Sequence, residues 1–380
     1  MRILIAAPVP KLREGGVAGI VYNMADSLRA LGHDVQFLFL EDLLPRPVAF
    51  PRFSMLYFSF RLAREIFRRR AEFDVVNIHA PAGFAYGLLR RFRRSAALPP
   101  YVMLMHGIEE RRNHAMSRES KKGRARYFRW KNRVWQRLYH MPLYRWSITT
   151  ADHAMVSNRE AWSVLQLQYN REAATSWFIS NGAEPRFLLP RNYPGGPAER
   201  LLFAGSWIDH KGVFYLRQSF EALAIRHPAV RLTIAGCGAD AQTVKQSFSP
   251  SVRDRVEVLP FVPTAEMPAL YSRHDIFVLP SLMEGMPVVL VEALATGMPV
   301  VTTETCGMID LVEGEYNGLL VKPADSAALV AAVERLIESP ELRRRLGLAA
   351  QETMKRRTWD HVIKQVEKIF ALAVAEWKQK

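Results

Sequence analysis

Residues 275–301 read DIFVLPSLMEGMPVVLVEALATGMPVV. The short apolar run DIFVLP stops at Pro280 and a loop follows. The run VVLVEALATG then begins near Pro287, where a proline loses nothing because a first-turn N–H has no intrahelical partner. MPVV opens a second apolar run. Strand, helix and strand in that order, with strands apolar throughout rather than alternating, predict a parallel sheet covered by helices. Two carboxylates, Glu284 and Glu292, stand eight residues apart in this otherwise apolar or small stretch.

Open parallel sheets bind ligands beyond the carboxyl ends of their strands, where helix N-termini point outward. The amides of Val288, Val289 and Leu290 are therefore expected to be open to an anion. Glu292, in the following turn, is placed to accept two hydrogen bonds from a vicinal diol, as a ribose offers. Glu284, on the loop side, could do the same for a second polyol. The plainer alternatives are a helix-start acid at Glu284 and a solvated helix face at Glu292.

Upstream, FAGSWIDHKGVFYL (203–216) ends a strand at Gly205 and places Lys211 before Gly212 and a new helical pattern. A lysine at a strand-to-helix corner is a natural phosphate partner, although a lone surface lysine is the commoner case. AGCGAD (235–240), with Gly236, is a second glycine turn after a strand; it falls short of GxGxxG and says mainly that the backbone turns tightly. PFVP (260–263), with Val262, fits a base pocket or the core equally well.

The same alternation runs through the whole chain. RILIAAP, DVQFLFL, DVVNIHA, YVMLMHG, DHAMVSN and TSWFISNG form one series, and RLLFAGSW, VRLTIAGCG, VEVLPF, HDIFVLPS and MPVVTTE a second. Helical patterns such as GIVYNMADSLRALGH separate them. Two parallel sheets follow, in an N-terminal domain over 1–188 and a C-terminal domain over 200–358. The linker 189–199 lies in a stretch with three prolines and two adjacent glycines. The closing segment 359–380 is an amphipathic helix expected to pack back on the first domain.

A length of 380 residues with half of them hydrophobic agrees with two cores. The N-terminus reads as a buried first strand rather than a signal peptide, and no apolar run spans a membrane, so a cytoplasmic location is expected. Cys237 and Cys306 lack the spacing of a zinc site or a disulfide framework. The net charge of +15 lies wholly in residues 1–190, with 30 Lys+Arg against 15 Asp+Glu; residues 191–380 hold 22 of each. Between Arg111 and Arg137 there are eleven basic residues and a single acid, Glu119, interleaved with aromatics. Such a run reads as a nucleic-acid surface, a membrane-surface segment or a solvated helix. No nucleic-acid recognition motif accompanies the charge. An anionic membrane, with the protein peripheral at its inner face, is the expected partner.

The ordered set of motifs resembles the retaining glycosyltransferases of family 4, also called glycosyl transferases group 1. EGMPVVLVE is their E-x7-E motif. GGVAGIVYNMADSLRALGHDV, DVVNIHAP, MHGIE, SNG, FAGSWIDHKG and the tail 309–347 match in order over nearly the whole chain. The resemblance implies an α/β protein of GT-B fold, two Rossmann-like parallel-sheet domains facing each other across a cleft. It implies transfer of a sugar from a nucleotide-diphosphate sugar to an acceptor hydroxyl with retention, in cell-surface polysaccharide or glycolipid assembly, on a saccharide or lipid-linked acceptor.

By the resemblance, His106, Lys211 and Glu284 are catalytic. Gly16, Gly205, Ser206, Gly236, Val262, Met286, Pro287, Val288, Val289, Leu290 and Glu292 join Lys211 and Glu284 in holding the donor. His79, Arg111 and Arg112 are candidates for the acceptor, His79 being as well read as a satisfied strand-end residue. No metal and no cofactor are implied. Ser206 stands where the family usually has an arginine, so Arg111 or Arg112 could replace it, or leaving-group stabilisation is weaker. Met286 and Pro287 replace the more frequent Phe-Gly. The alternatives are a non-catalytic nucleotide-sugar or glycan-binding protein of this fold, favoured by Ser206, and a nucleotide-sugar epimerase or sugar phosphorylase relative.

Overall fold

The computed structural model describes residues 1–44, 53–92, 98–124 and 134–379. The chain divides into two compact units: Met1–Glu109, Arg129–Asn181 and Trp359–Lys380 form the first, and Glu110–Phe128 with Gly182–Thr358 the second. Each holds one six-stranded sheet in which every pairing is parallel.

The first sheet contains β1 (Arg2–Ala6), β2 (Asp34–Leu38), β3 (Val75–His79), β4 (Tyr101–Met105), β5 (His153–Val156) and β6 (Ser176–Phe178), in the order β2-β1-β3-β4-β5-β6. The second contains β7 (Arg200–Ala204), β8 (Arg231–Ala235), β9 (Val256–Leu259), β10 (Ile276–Leu279), β11 (Val300–Thr303) and β12 (Leu319–Val321), in the order β12-β11-β10-β7-β8-β9. β3, β4, β5, β10 and β11 are buried along their whole length, which is why they read as unbroken apolar runs. β12 was not among the expected strands, because three residues carry too little pattern to stand out.

The decisive stretch folds as anticipated. β10 leads through a loop to the helix Val288–Ala295, which has Pro287 at its N-cap. Gly297 (φ 67°) closes the helix: its amide donates to Leu294 and that of Met298 to Ala293, the two bonds of a Schellman motif. Leu290 to Ala295 are all buried, so the helix is a core element with Glu292 inside it.

In the N-terminal unit the helix Trp359–Lys378 packs on the helix Gly16–Ala30 and on β3 and β4. Its apolar residues, among them Val362, Ile363, Val366 and Phe370, recur at helical spacing and are buried. His33 Nε2 meets Glu367 at 2.9 Å and His153 Nε2 meets Glu376 at 3.2 Å.

One boundary differs from the expected division at residue 188. The described residues of Glu110–Phe128 belong to the C-terminal unit. Met116, on the helix Glu109–Lys121, joins an apolar cluster with Tyr215 and Leu282. Glu119 accepts a hydrogen bond from the Tyr215 hydroxyl, and Arg124 donates to that hydroxyl at 3.1 Å while lying over the Phe214 ring. Residues 182–188 also group with this unit, where Phe187 packs edge-on against Tyr271. The basic run is thus divided between the units, and its part at 125–133 lies outside the described residues.

Candidate functional site

β7 and β10 are neighbours at the point where strand order in the second sheet reverses, the place where such sheets open a crevice. After β7 the chain turns through Gly205 (φ 133°) and Ser206 into the short turn Asp209–Lys211 and the helix Val213–Arg226. After β10, the loop before Val288 carries Glu284. Lys211 Nζ and Glu284 Oε1 meet at 2.7 Å, with 14% and 12% of their side chains exposed. Ser281 Oγ donates to the same carboxylate oxygen at 3.0 Å. A Cβ built on Gly205 would lie 3.7 Å from Lys211 Nζ, so the ammonium stands close over the turn. The pair is neutral as it stands. An anionic diphosphate entering here would draw on Lys211, and sugar hydroxyls would draw on the released carboxylate.

Ser206 brings no charge, and its carbonyl accepts from the Ile208 amide at 3.0 Å. A second cation nevertheless reaches this region. Burial lowers the pKa of His210; Glu284 opposes that shift, while the charges of Lys211 and Arg112 add to it. Arg112 therefore lies within electrostatic reach of the residue preceding Lys211. Arg111, on the same helix, lines a cavity of about 370 Å³ in this unit.

The start of the helix differs from expectation in one respect. Val288 and Val289 donate no backbone hydrogen bond to any described residue, but the Leu290 amide donates to the Pro287 carbonyl at 3.1 Å, a tightened first turn. Two amides are open to a ligand, and Leu290 is not one of them. Met286 and Pro287 are buried beside them.

Glu292 is not a solvated residue. It is 9% exposed and accepts a hydrogen bond from the Tyr271 hydroxyl at 2.9 Å on Oε2, which leaves Oε1 for a further donor. Burial pushes its pKa up to about 7; the Tyr271 hydrogen bond opposes the shift, the charge of Glu184 adds to it and that of Arg186 opposes it. A raised carboxyl pKa favours folding fully below the unfolded value of 4.5, and that contribution is lost as pH rises through the folded value near 7. Glu292→Gln keeps the Tyr271 partner without the charge. Its stability relative to the parent should therefore grow by about 2–3 kcal/mol between pH 5 and pH 8. Urea unfolding at the two pH values measures this, and an equal difference at both would refute it.

In the N-terminal unit, β3 and β4 end on a histidine pair. His106 Nε2 and His79 Nδ1 are 2.9 Å apart. Burial lowers the pKa of His106 to about 4 and that of His79 well below its ordinary value, with the charge of His106 adding to the effect on His79. Both rings are neutral at physiological pH and share one ring proton. His79 is 1% exposed, and its Nε2 is buried with no hydrogen-bond partner among the described residues. Its place is behind His106, which it orients. At the start of the helix Gly16–Ala30 the left-handed residue is Gly15 (φ 109°) rather than Gly16, whose Cβ position faces open space. The turn itself needs glycine at 15; at 16 a side chain would only block approach.

Gly236 (φ 63°) and Val262 follow β8 and β9, on the far side of β7 from Glu284. Residues that the sequence reading did not single out are Ser281, His210 and Tyr271. Ser281 lies inside the quoted stretch, where a lone serine after a strand gives no signal of its own. Tyr271 lies twenty-one residues before Glu292 and gives no local signal.

Residues 14–186 match the family model described as Glycosyltransferase Family 4, and residues 194–353 the model described as Glycosyl transferases group 1. An uncharacterised glycosyltransferase of Methanocaldococcus jannaschii is 24% identical over 176 residues, 46% of this chain and 45% of that protein. The chain spans about half the length of the curated relatives it matches first. Among solved structures, sucrose-phosphate synthase from Thermosynechococcus elongatus superimposes with a TM-score of 0.80 at 18% identity, covering 99% of this chain and 100% of that one. HepE of Anabaena in complex with UDP gives 0.70 at 16% identity, covering 98% and 100%.

Proposed function

From the premise that the chain belongs to the group 1 glycosyltransferases of GT-B fold, we propose that it moves a sugar from a nucleotide-diphosphate donor to an acceptor hydroxyl with retention of configuration. The observation that carries this is the Lys211–Glu284 pair at the strand-order reversal, with Gly205 beneath it and two open amides at Val288 and Val289. In the transfer, the acceptor oxygen bonds to the anomeric carbon as that carbon's bond to the diphosphate oxygen breaks. The bonding pair leaves with the diphosphate, and the acceptor's proton passes to a leaving phosphate oxygen.

Lys211 meets the charge developing on the diphosphate, Glu284 holds sugar hydroxyls, and the two amides face the donor. Glu292 takes the ribose diol on Oε1. Neutral His106, held by His79, offers a ring nitrogen to the transferring sugar. Retention follows when the acceptor attacks from the face the diphosphate leaves.

UDP in the Anabaena structure supports uridine donors as the first to try. Thermal-shift titration against uridine, guanosine and adenosine diphosphate sugars should show one class raising the midpoint, and that class should be hydrolysed slowly without acceptor. No shift with any of them would overturn the reading. Binding without hydrolysis or transfer would favour the non-catalytic alternative.

A cell-surface acceptor, with the protein held at the inner face of an anionic membrane, is part of the proposal. Among the described residues no helix is long and apolar enough to cross a membrane. The helix Ser54–Arg68 buries Phe58, Leu62 and Ile66 on one side. It exposes Tyr57, Phe60, Arg61, Arg64 and Arg68 on the other, at the i, i+3, i+4, i+7, i+11 spacing of a single face. Rings with arginines suit a headgroup layer, where each cation contributes about 1 kcal/mol. The protein should sediment with anionic vesicles, less with neutral ones, and be released by salt. Equal partition insensitive to salt would count against membrane attachment.

A further inference from the structure

We propose that the C-terminal unit carries a subsite for a phosphate-bearing saccharide acceptor, in the cavity at the carboxyl ends of β10, β11 and β12. Its role as an acceptor site rests on the glycosyltransferase reading; its ligand chemistry rests on the cavity.

The cavity holds about 370 Å³. One wall is the helix Glu109–Lys121, which lines it with Arg111, Ala115 and Arg118, followed by Lys122 just past the helix end. Steps of four, three and four residues put these side chains on one helix face. The other wall comes from Leu282 and Met283 after β10, Glu304 and Thr305 after β11, and Pro323 and Ala324 after β12. Leu282 and Met283 immediately precede Glu284, so the cavity adjoins the Lys211–Glu284 pair. β11 and β12 lie on the side of β10 away from β7, and of the residues named for the donor only Arg111, offered as a stand-in for the arginine missing at 206, lines the cavity.

Charge narrows the ligand. Of the two carboxylates on the walls, Glu119 is already engaged: it is 5% exposed, accepts from Tyr215 and pairs with Lys122 at 3.2 Å. Arg118 is exposed and has no ion-pair partner among the described residues. With Arg111 it puts two guanidiniums on the helical wall, each a planar fork matched to phosphate oxygens. On the opposite wall the Glu304 carboxylate and the Thr305 hydroxyl can accept from sugar hydroxyls, which a bare anion would not supply and a neutral glycan could not match to the arginines. A phosphorylated sugar satisfies both walls. The phosphate can belong to a soluble sugar phosphate or to a glycolipid headgroup, since the chemistry at the arginines is the same.

The test uses the full chain with glucose 6-phosphate, glucose, and phosphatidylcholine vesicles with and without phosphatidylinositol. Glucose 6-phosphate or the phosphatidylinositol vesicles should bind, and glucose should not. Arg118→Glu should weaken whichever probe binds by at least about tenfold, with Arg118→Lys retaining part of the affinity. Sensitivity of the sugar phosphate alone assigns a soluble acceptor, and sensitivity of the vesicles assigns a lipid headgroup. Equal binding of glucose and glucose 6-phosphate without vesicle binding, or probe binding by Arg118→Glu equal to that of the parent, would overturn the subsite. A nucleotide-sugar titration of the same samples separates the two readings. Its failure with phosphate binding intact strikes at the transferase function, and the converse strikes only at the cavity.

Discussion

Lys211→Ala is expected to lower the transfer rate by about 10²–10³, the loss typical of removing one group aimed at developing charge. Two effects act together. The departing diphosphate loses the ammonium that meets its charge. Glu284, only 12% exposed and paired to Lys211 at 2.7 Å, is left as an uncompensated carboxylate beside an anionic ligand. Donor affinity should therefore fall with turnover. Glu284→Gln should behave differently, because it releases Lys211: the nucleoside diphosphate should bind at least as tightly as to the parent while sugar transfer falls. Rates with a donor found by thermal shift, together with nucleotide dissociation constants, test this contrast. A Lys211→Ala enzyme keeping more than about a third of the parental rate would remove Lys211 from the mechanism.

Gly212→Ala is expected to destabilise the C-terminal unit by at least about 3 kcal/mol, in the range reserved for backbone strain and overpacking. Gly212 adopts φ 72°, ψ 26° at the cap of the helix Val213–Arg226, a left-handed conformation that costs other residues about 1–2 kcal/mol. Space adds to this. A Cβ there would lie 1.9 Å from the Pro280 carbonyl oxygen, so the turn after β7 would have to part from the end of β10. Those two segments carry Lys211 and Glu284, and the substitution should also loosen their pairing. Gly236→Ala is the control: its φ is 63°, but no atom of the described residues lies within 4 Å of its Cβ position, so only the conformational cost of about 1–2 kcal/mol remains. Denaturant midpoints of the two variants decide the matter, and equal midpoints would show that the close approach to Pro280 is relieved at no cost.

The charged half shows where a sequence reading stops. From Arg111 onward the eleven cations read as one surface of one domain, since nothing local marks a break. The break is set by Met116 and Glu119, which find Tyr215 and Leu282 in the other half of the chain. Such pairing follows from the burial of one apolar side chain and one carboxylate against distant partners, and a window of neighbouring residues does not contain it. The same holds for the site. That Lys211 and Glu284 each follow a strand was readable, because each stands just after a recognisable apolar run; that β7 and β10 lie side by side and bring the two side chains to 2.7 Å was not. That Leu290 closes its own first turn was not readable either.

The order of apolar runs and breakers was enough to establish two parallel α/β sheets and the strand ends after which Lys211 and Glu284 stand, because burial on both faces is written in near neighbours. Protonation and partnership were settled by folding alone. Glu292 holds its proton up to about pH 7 because burial in the helix core outweighs the opposing Tyr271 hydrogen bond, and His106 stays neutral because burial disfavours its charged form. Those are sums over atoms brought together from far along the chain, where solvent access and distance, rather than residue type, set the free energy.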